Sequence, residues 1–285
     1  MKEHELILTS LLNCDRTRLY VEAEALNPIQ KNQYDEILKK RSAGEPLQYL
    51  IGWTEFFGLK FAVNPSVLIP RPETEILVEK TLARVKEKFQ DKAIKILDLG
   101  TGSGNVAVTL AHHLPQADIV SVDVSGEAIE VAQKNARLNG VADRIRFICA
   151  DMEKFLKQTD SQFDVIVSNP PYIPTENLSM LPNDVQREPR LALDGGPDGL
   201  EFYRIIFKQG LAQLVRGFSK NNLGNIVLAV DGFCMCEIGD AQDNKLIQVL
   251  TEYNPKFDIT FHDDYTQRRR VAEITPTTSE VNAHG

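Results

Sequence analysis

The side chains best suited to chemistry stand together at Ser168-Asn169-Pro170-Pro171-Tyr172, directly after the apolar, β-branched run Phe163-Asp164-Val165-Ile166-Val167. That run reads as a buried strand. Two prolines after an Asn forbid both helix and a continued central strand, because proline fixes φ and lacks an N–H. The chain must leave the sheet here as a stiff, extended corner presenting one carboxamide, the carbonyls beside it and one aromatic ring. Such a corner suits a planar NH2 group: oxygens accept its two hydrogens while the ring packs on its plane. Open α/β sheets place ligands at the C-terminal ends of their strands. A tight loop with a surface Tyr is the plainer alternative.

Three strand ends upstream carry the complementary groups. Ala93 to Leu97 reads as a strand running into Asp98-Leu99-Gly100-Thr101-Gly102-Ser103-Gly104-Asn105, with a helix from Val106 to Leu114. Strand, glycine loop and helix bring backbone N–H groups close to a ligand. The spacing is not G-x-G-x-x-G, since Asn105 holds the third glycine's place, and no Gly-Lys-Ser/Thr follows, so pyrophosphate binding is disfavoured. A second strand, Asp118 to Val122, ends in Asp123, 23 residues after Gly100, where a carboxylate can accept both ribose hydroxyl protons. A third, Arg144 to Cys149, ends in Ala150-Asp151-Met152. Asp151 can accept an adenine amino hydrogen, and Met152 offers a polarizable face to the base. Any one of these acids could be a turn or a cap; together with Asn169-Pro-Pro-Tyr172 they describe a nucleoside site beside an NH2 site.

The elements around them follow from pattern. Helical spacing covers Glu5 to Leu12, then runs from the Asn27-Pro28 cap to Gly44, and a short helix from Pro46 ends at Gly52. Trp53 to Val63 has the aromatic and β-branched character of a hairpin about Gly58. Asn64-Pro65 and Ile69-Pro70-Arg71-Pro72 make an extended connector, because each proline turns its predecessor away from helix. Glu73-Thr74-Glu75 opens a helix to about Gln90, with acids suited to its dipole. Further on, Leu200 to Val215 reads as a helix, Asn225 to Val230 as a strand, and Glu237 to Leu250 as helical, at least after Gly239. Phe257 to Phe261 and Arg270 to Ile274 should pair antiparallel at the end of the sheet.

The chain has 285 residues, 42% hydrophobic and 25% charged, which describes an ordinary globular protein of one large domain and a small one. Its formal charge of −8, from 32 basic and 40 acidic residues, disfavours a stable nucleic-acid partner, since such binding draws on basic surfaces. No apolar run is long enough to span a membrane, and the acidic start lacks a signal-peptide core, so a cytoplasmic protein is expected. The four cysteines, Cys14, Cys149, Cys234 and Cys236, form no metal knuckle and are expected to be buried thiols. No metal-ligand cluster is evident.

Asp98-Leu-Gly-Thr-Gly-Ser-Gly104, Asp123, Asp151 and Asn169-Pro-Pro-Tyr172 resemble the ordered motifs of class I S-adenosylmethionine-dependent methyltransferases that act on a planar amide or exocyclic amine. Gln48-Tyr-Leu-Ile-Gly52, Leu68-Ile-Pro-Arg-Pro-Glu-Thr-Glu75 and Glu188-Pro-Arg-Leu-Ala-Leu-Asp-Gly-Gly-Pro-Asp-Gly199 resemble, more narrowly, the HemK/PrmC family. That family methylates the side-chain amide (N5) of the glutamine in the Gly-Gly-Gln loop of peptide chain release factors. Departures are Met152, where an aromatic is common, a less usual path from Asn221 to Cys236, and a start near Glu5 where members usually have a further helical segment.

The resemblance implies a Rossmann-like α/β sheet of about seven strands behind a small helical domain. The expected organisation is a helical docking domain (1–52), a hairpin and connector (53–72), a methyltransferase domain (73–274) and a loose tail (275–285). S-adenosyl-L-methionine would be held by Gly100, Thr101, Gly102, Ser103, Gly104, Asp123, Asp151, Met152 and Asn169, and leave as S-adenosyl-L-homocysteine. Asn169 Oδ1 and the Pro170 carbonyl would accept the two amide hydrogens, with Tyr172 on the amide plane and Pro171 stiffening the corner; Asn169, Pro170 and Tyr172 are the catalytic set. The expected protein is a monomer whose partner is a release factor. An adenine-N6 methyltransferase and a ribosomal-protein glutamine methyltransferase are the alternatives; in the latter the connector typically reads Pro-Arg-Ser.

Overall fold

The computed structural model describes residues 2–21, 25–214, 218–220, 226–228 and 232–277. Four helices open the chain: α1 (Glu3–Leu12), α2 (Arg16–Val21), α3 (Pro28–Ser42) and α4 (Leu47–Ile51). α3 starts where Asn27 accepts from Gln30 N while Gln30 returns a bond to Asn27 N, satisfying two donors that a helix start leaves open. α4 stops at Gly52, whose φ of +81° no β-carbon opposes. The sequence pattern missed α2, which is short and buries no residue.

The hairpin follows as β1 (Trp53–Phe56) and β2 (Leu59–Ala62), closed by Phe57 and Gly58 at positive φ, the geometry that matches strand twist. α5 (Pro72–Phe89) begins at a proline in its first turn. Then strands and helices alternate: β3 (Ile94–Leu99), α6 (Asn105–His113), β4 (Ala117–Asp123), α7 (Gly126–Leu138), β5 (Ile145–Cys149), α8 (Met152–Gln158) and β6 (Val165–Ser168). α9 (Glu201–Ile205) continues through a π turn at Ile206–Gly210 into α10 (Leu211–Leu214). Among the described residues, β7 (Phe218–Lys220) and β8 (Ile226–Leu228) pair with each other in a two-stranded sheet. β9 (Phe233–Glu237), α11 (Asp243–Tyr253), β10 (Phe257–Asp263) and β11 (Arg269–Pro276) complete the chain.

The central sheet has seven strands in the order β10-β11-β9-β6-β3-β4-β5. β9, β6, β3, β4 and β5 are parallel, and β11 runs antiparallel to both its neighbours. Alternate residues of the inner strands feed two cores: Ile94, Ile96, Val165 and Val167 face one, and Leu97, Leu99 and Ile166 face the other. A parallel sheet covered on both faces reads as a continuous apolar run for this reason.

Expectations for the second half of the chain and for the cysteines need adjustment. The strand expected over 225–230 is β8 at Ile226–Leu228, outside the central sheet; residues 225, 229 and 230 lie outside the described ones. The central-sheet strand here is β9, which carries Cys234 and Cys236 and ends at Glu237; the helix begins at Asp243, after Gly239. Cys234 and Cys236 are buried, but Cys14 is half-buried and Cys149 is exposed; Cys149 ends β5, the edge strand, with β4 on one side of it only. At the C-terminus, β11 carries Thr275 and Pro276, and residues 278–285 lie outside the described ones.

Candidate active site

The strand order reverses between β3 and β6. There the loop after β3 and the corner after β6 come side by side, the crevice where such sheets take ligands. Ser168 Oγ donates to the Leu99 carbonyl at 2.7 Å and ties the two strand ends together. The glycine loop is folded back on β4: Gly100 N and Thr101 N both donate to the Val122 carbonyl, at 2.8 and 3.1 Å. Asn135, fully buried on α7, donates from its one Nδ2 to the carbonyls of Ser103 and Ala62 and so joins the loop to the hairpin.

The acids sit at three depths. Asp98 is buried and accepts from Ser121 Oγ at 2.8 Å; burial pushes its carboxyl from 3.8 up to about 6, against the bonds from Thr101 and Ser121. Asp123 accepts from Gly102 N at 2.8 Å and Ser125 N at 2.9 Å, one on each oxygen, and burial also raises its pKa. Asp151 is exposed and caps α8 by accepting from Lys154 N at 2.9 Å. Met152, the next residue, is buried.

At the corner, Asn169 Nδ2 donates to Thr74 Oγ1 at 3.1 Å. This turns its Oδ1 away from Thr74 and leaves it as the carboxamide's acceptor. The Tyr172 hydroxyl donates to Glu237 Oε1 at 3.3 Å. The segment after the corner is packed directly on it. A β-carbon at Gly195 would lie 2.7 Å from Tyr172 Cα, and one at Gly199 2.4 Å from the Tyr172 carbonyl oxygen. Gly195 N donates to Ile173 O at 2.8 Å, and Gln242 Nε2 bonds the Tyr172 and Gly199 carbonyls at 3.0 and 3.2 Å.

Two cavities meet at this corner. One, of about 140 Å³, is lined by Gly100, Thr101, Gly102, Ser103, Asp98, Asp123, Asp151, Met152, Asn169 and Pro171, among others. The other, of about 200 Å³, is lined by Asn169, Pro170, Tyr172 and Glu237 with an apolar set that includes Leu193. Asn169 borders both, as do Leu68, Arg71 and Ala192. Two expected site residues fall elsewhere. Gly104 does not line the first cavity: at φ +80° its missing β-carbon, which would lie 3.0 Å from Ala132 Cβ, lets α6 approach α7. Pro171 faces the first cavity and not the second, because consecutive residues of an extended corner point to opposite sides.

The sequence of a "Methyltransferase domain" family matches residues 90–210, and that of a "PrmC N-terminal domain" matches residues 2–52. A protein of Moorella thermoacetica named release factor glutamine methyltransferase is 45% identical, over 75% of this chain and 74% of its own. One of the same name from Geobacter sulfurreducens is 42% identical, over 82% and 83%. The chain belongs to the release factor glutamine methyltransferase family. Among solved structures, the human METTL16 catalytic domain, crystallised with an RNA hairpin, superposes with a TM-score of 0.56 at 18% identity, covering 78% of each chain. A human methyltransferase 10 domain containing protein gives 0.51 at 19%, covering 76% and 89%. These two likenesses speak to the fold alone: a class I methyltransferase.

Residues outside the glycine loop and the Asn-Pro-Pro-Tyr corner support the candidate site. Glu188 accepts from Ile69 N at 2.9 Å and pairs with Arg71, which joins the Pro-Arg-Pro connector to the segment after the corner. Thr74, Glu237 and Gln242 act on the corner from three different elements. Thr74 falls within the motif over residues 68–75, but its contact with the corner, like those of Glu237 and Gln242, spans 65 residues or more and cannot be read from local pattern. Among the described residues no helix is long and apolar enough to cross a membrane, and no group of His, Cys, Asp and Glu could hold a metal ion.

Proposed function

We propose that this chain transfers a methyl group from S-adenosyl-L-methionine to the side-chain amide nitrogen of a glutamine in a peptide chain release factor, the glutamine of its Gly-Gly-Gln loop. The observation that carries this reading is the meeting of two cavities at Asn169, one lined by the glycine loop and acids, the other by Pro170 and Tyr172. The first suits an adenosyl group with a positive centre. Its only basic side chain is Arg71, so it offers little to a pyrophosphate; each Asp123 oxygen keeps room for a ribose hydroxyl, and Met152, Val124 and Ala150 offer a base an apolar bed. When bound, S-adenosyl-L-methionine supplies an electrophilic methyl group and leaves as S-adenosyl-L-homocysteine.

The chain's own part is to hold a poor nucleophile in line. An amide nitrogen shares its lone pair with its carbonyl, so placement and charge matter most. Asn169 Oδ1 and the Pro170 carbonyl accept the two N–H groups, and their dipoles favour the positive charge that grows on nitrogen, as an oxyanion hole favours negative charge. The Tyr172 ring covers the amide plane. Thr74 sets which way the Asn169 carboxamide points.

The helical unit is the release-factor dock. It stands beside the mouth of the second cavity: Arg41 pairs with Asp184 at 3.6 Å, Arg187 Nη2 bonds the Ala43 carbonyl at 3.5 Å, and Val185 between them lines that cavity. The test offers labelled S-adenosylmethionine with purified release factor, ribosomal protein, DNA and tRNA in parallel. Label on release factor alone is expected; label on DNA or tRNA alone would overturn the reading.

A further inference from the structure

Two charged residues that the amide grip does not use line the second cavity, Arg71, which is paired with Glu188, and Glu237. Glu237 closes β9, is 1% exposed, and lies with Asn169, Pro170 and Tyr172 around the cavity. Its Oε1 accepts from the Tyr172 hydroxyl, and among the described residues its Oε2 has no hydrogen-bond partner. A buried carboxylate oxygen without a partner is costly to keep, and this carboxylate borders the cavity that Asn169, Pro170 and Tyr172 line.

Every neighbouring element sets its charge. α5 turns Thr74 and Glu73 toward it, the corner brings Tyr172, and β11 brings Arg270. The Tyr203 hydroxyl of α9 bonds its main-chain carbonyl at 2.8 Å. Arg270 also serves Asp264 at 3.4 Å and the Ile238 carbonyl at 3.3 Å. Burial outweighs the help from Thr74, Arg270 and Tyr172, and pushes the Glu237 carboxyl from 4.5 up to about 7. The contacts also link the two halves of the grip, since Thr74 holds the Asn169 carboxamide while Tyr172 is held by Glu237 itself.

We propose that Glu237 is a positioning residue for methyl transfer: its carboxylate fixes the Tyr172 ring and, through Thr74, the Asn169 carboxamide, and its negative charge favours the cation forming on the substrate nitrogen. This rests on the glutamine-methyltransfer reading above. The ionised form is the active one, so the rate should climb as pH rises through the carboxyl's titration.

The test is single-turnover methylation of release factor at saturating labelled S-adenosylmethionine from pH 5.5 to 9, for the parent protein, Glu237→Gln and Tyr172→Phe, with calorimetric cofactor affinity for each. The parent rate should rise about pH 7. Glu237→Gln should lose that rise and run roughly 10- to 100-fold slower on its plateau, the loss expected for a charged hydrogen-bond partner, with cofactor affinity within about twofold. Asp98, which also titrates in the site, remains in the variant and cannot account for the lost rise. Should Glu237→Gln fail to bind cofactor, Tyr172→Phe decides: its carboxylate has lost a donor, so the rise must move to higher pH. A Glu237→Gln plateau equal to the parent's, or an unmoved Tyr172→Phe profile, overturns the inference alone. A parent protein that labels no release factor overturns it together with the functional reading.

Discussion

Replacing Asn169 separates a residue that grips the substrate from one that only shapes the corner. In Asn169→Ala the acceptor Oδ1 is gone while the two prolines and Tyr172 still hold the backbone. By comparison with removal of one oxyanion-hole donor, kcat should fall roughly 10²- to 10³-fold, or about 2.7–4 kcal/mol of transition-state stabilisation. The same change removes the Nδ2 donor to Thr74 Oγ1, a 3.1 Å bond to a fully buried hydroxyl. That bond is worth about 0.5–1.5 kcal/mol, so the variant should melt a few degrees lower and remain folded. Asn169→Asp keeps an acceptor oxygen and lets Thr74 turn its hydroxyl to donate. It also adds charge, which costs on burial and is opposed by nearby Glu237, yet favours a cation on the substrate nitrogen. Asp should therefore be impaired but clearly faster than Ala, with cofactor affinity similar in both. The assay is single-turnover methylation of release factor at saturating S-adenosylmethionine. An Ala variant as fast as the Asp variant would mean that Asn169 does not bind the amide.

Asp123→Ala should weaken S-adenosylmethionine binding by roughly 1.5–3 kcal/mol, the worth of a charged acceptor; unchanged affinity by calorimetry would remove Asp123 from the site. Asp98 binds its proton more tightly folded than unfolded, with a pKa of about 6 against 3.8. Its contribution is therefore complete below about pH 4 and lost as pH rises through 6, leaving the fold roughly 3 kcal/mol less stable at pH 7 than with a neutral group there. Asp98→Asn should accordingly unfold at higher denaturant at pH 7 and flatten the stability profile between pH 4 and 6; a slope identical to the parent's would refute this. Gly195→Ala should drive a methyl group into the Tyr172 backbone, 2.7 Å from its Cα, costing about 1–3 kcal/mol of stability and lowering kcat; a variant with parental melting and turnover would show that the corner tolerates displacement. Removing residues 1–45 should leave cofactor affinity near the parental value while cutting methylation of whole release factor, and a folded, equally active truncation would exclude the docking role.

The nucleoside half was legible because its signals are local. A strand end, a glycine loop and an acid are read within a few residues, and β3, β4 and β5 each end close to where apolar runs stop. The far end of the chain was harder. β8 and β9 offer similar short apolar stretches, and only pairing with β6 and β11 shows that Phe233–Glu237 is the sheet strand. Nothing local to Gly195 and Gly199 shows that their missing β-carbons admit the backbone of the corner.

What the sequence determined by itself was the make-up and stiffness of the corner after β6. Proline geometry and a continuous apolar run act over a few residues, so Asn169-Pro-Pro-Tyr172 had to be rigid and had to follow a strand. The tertiary structure alone decided the corner's support and its charge. Which way the Asn169 carboxamide points depends on Thr74, brought 95 positions along the chain by the packing of α5. Whether a carboxyl is ionised near neutrality depends on how completely water is excluded from it, and burial at the end of β9 places Glu237 in that range. Burial and long-range contact exist only once the sheet has formed.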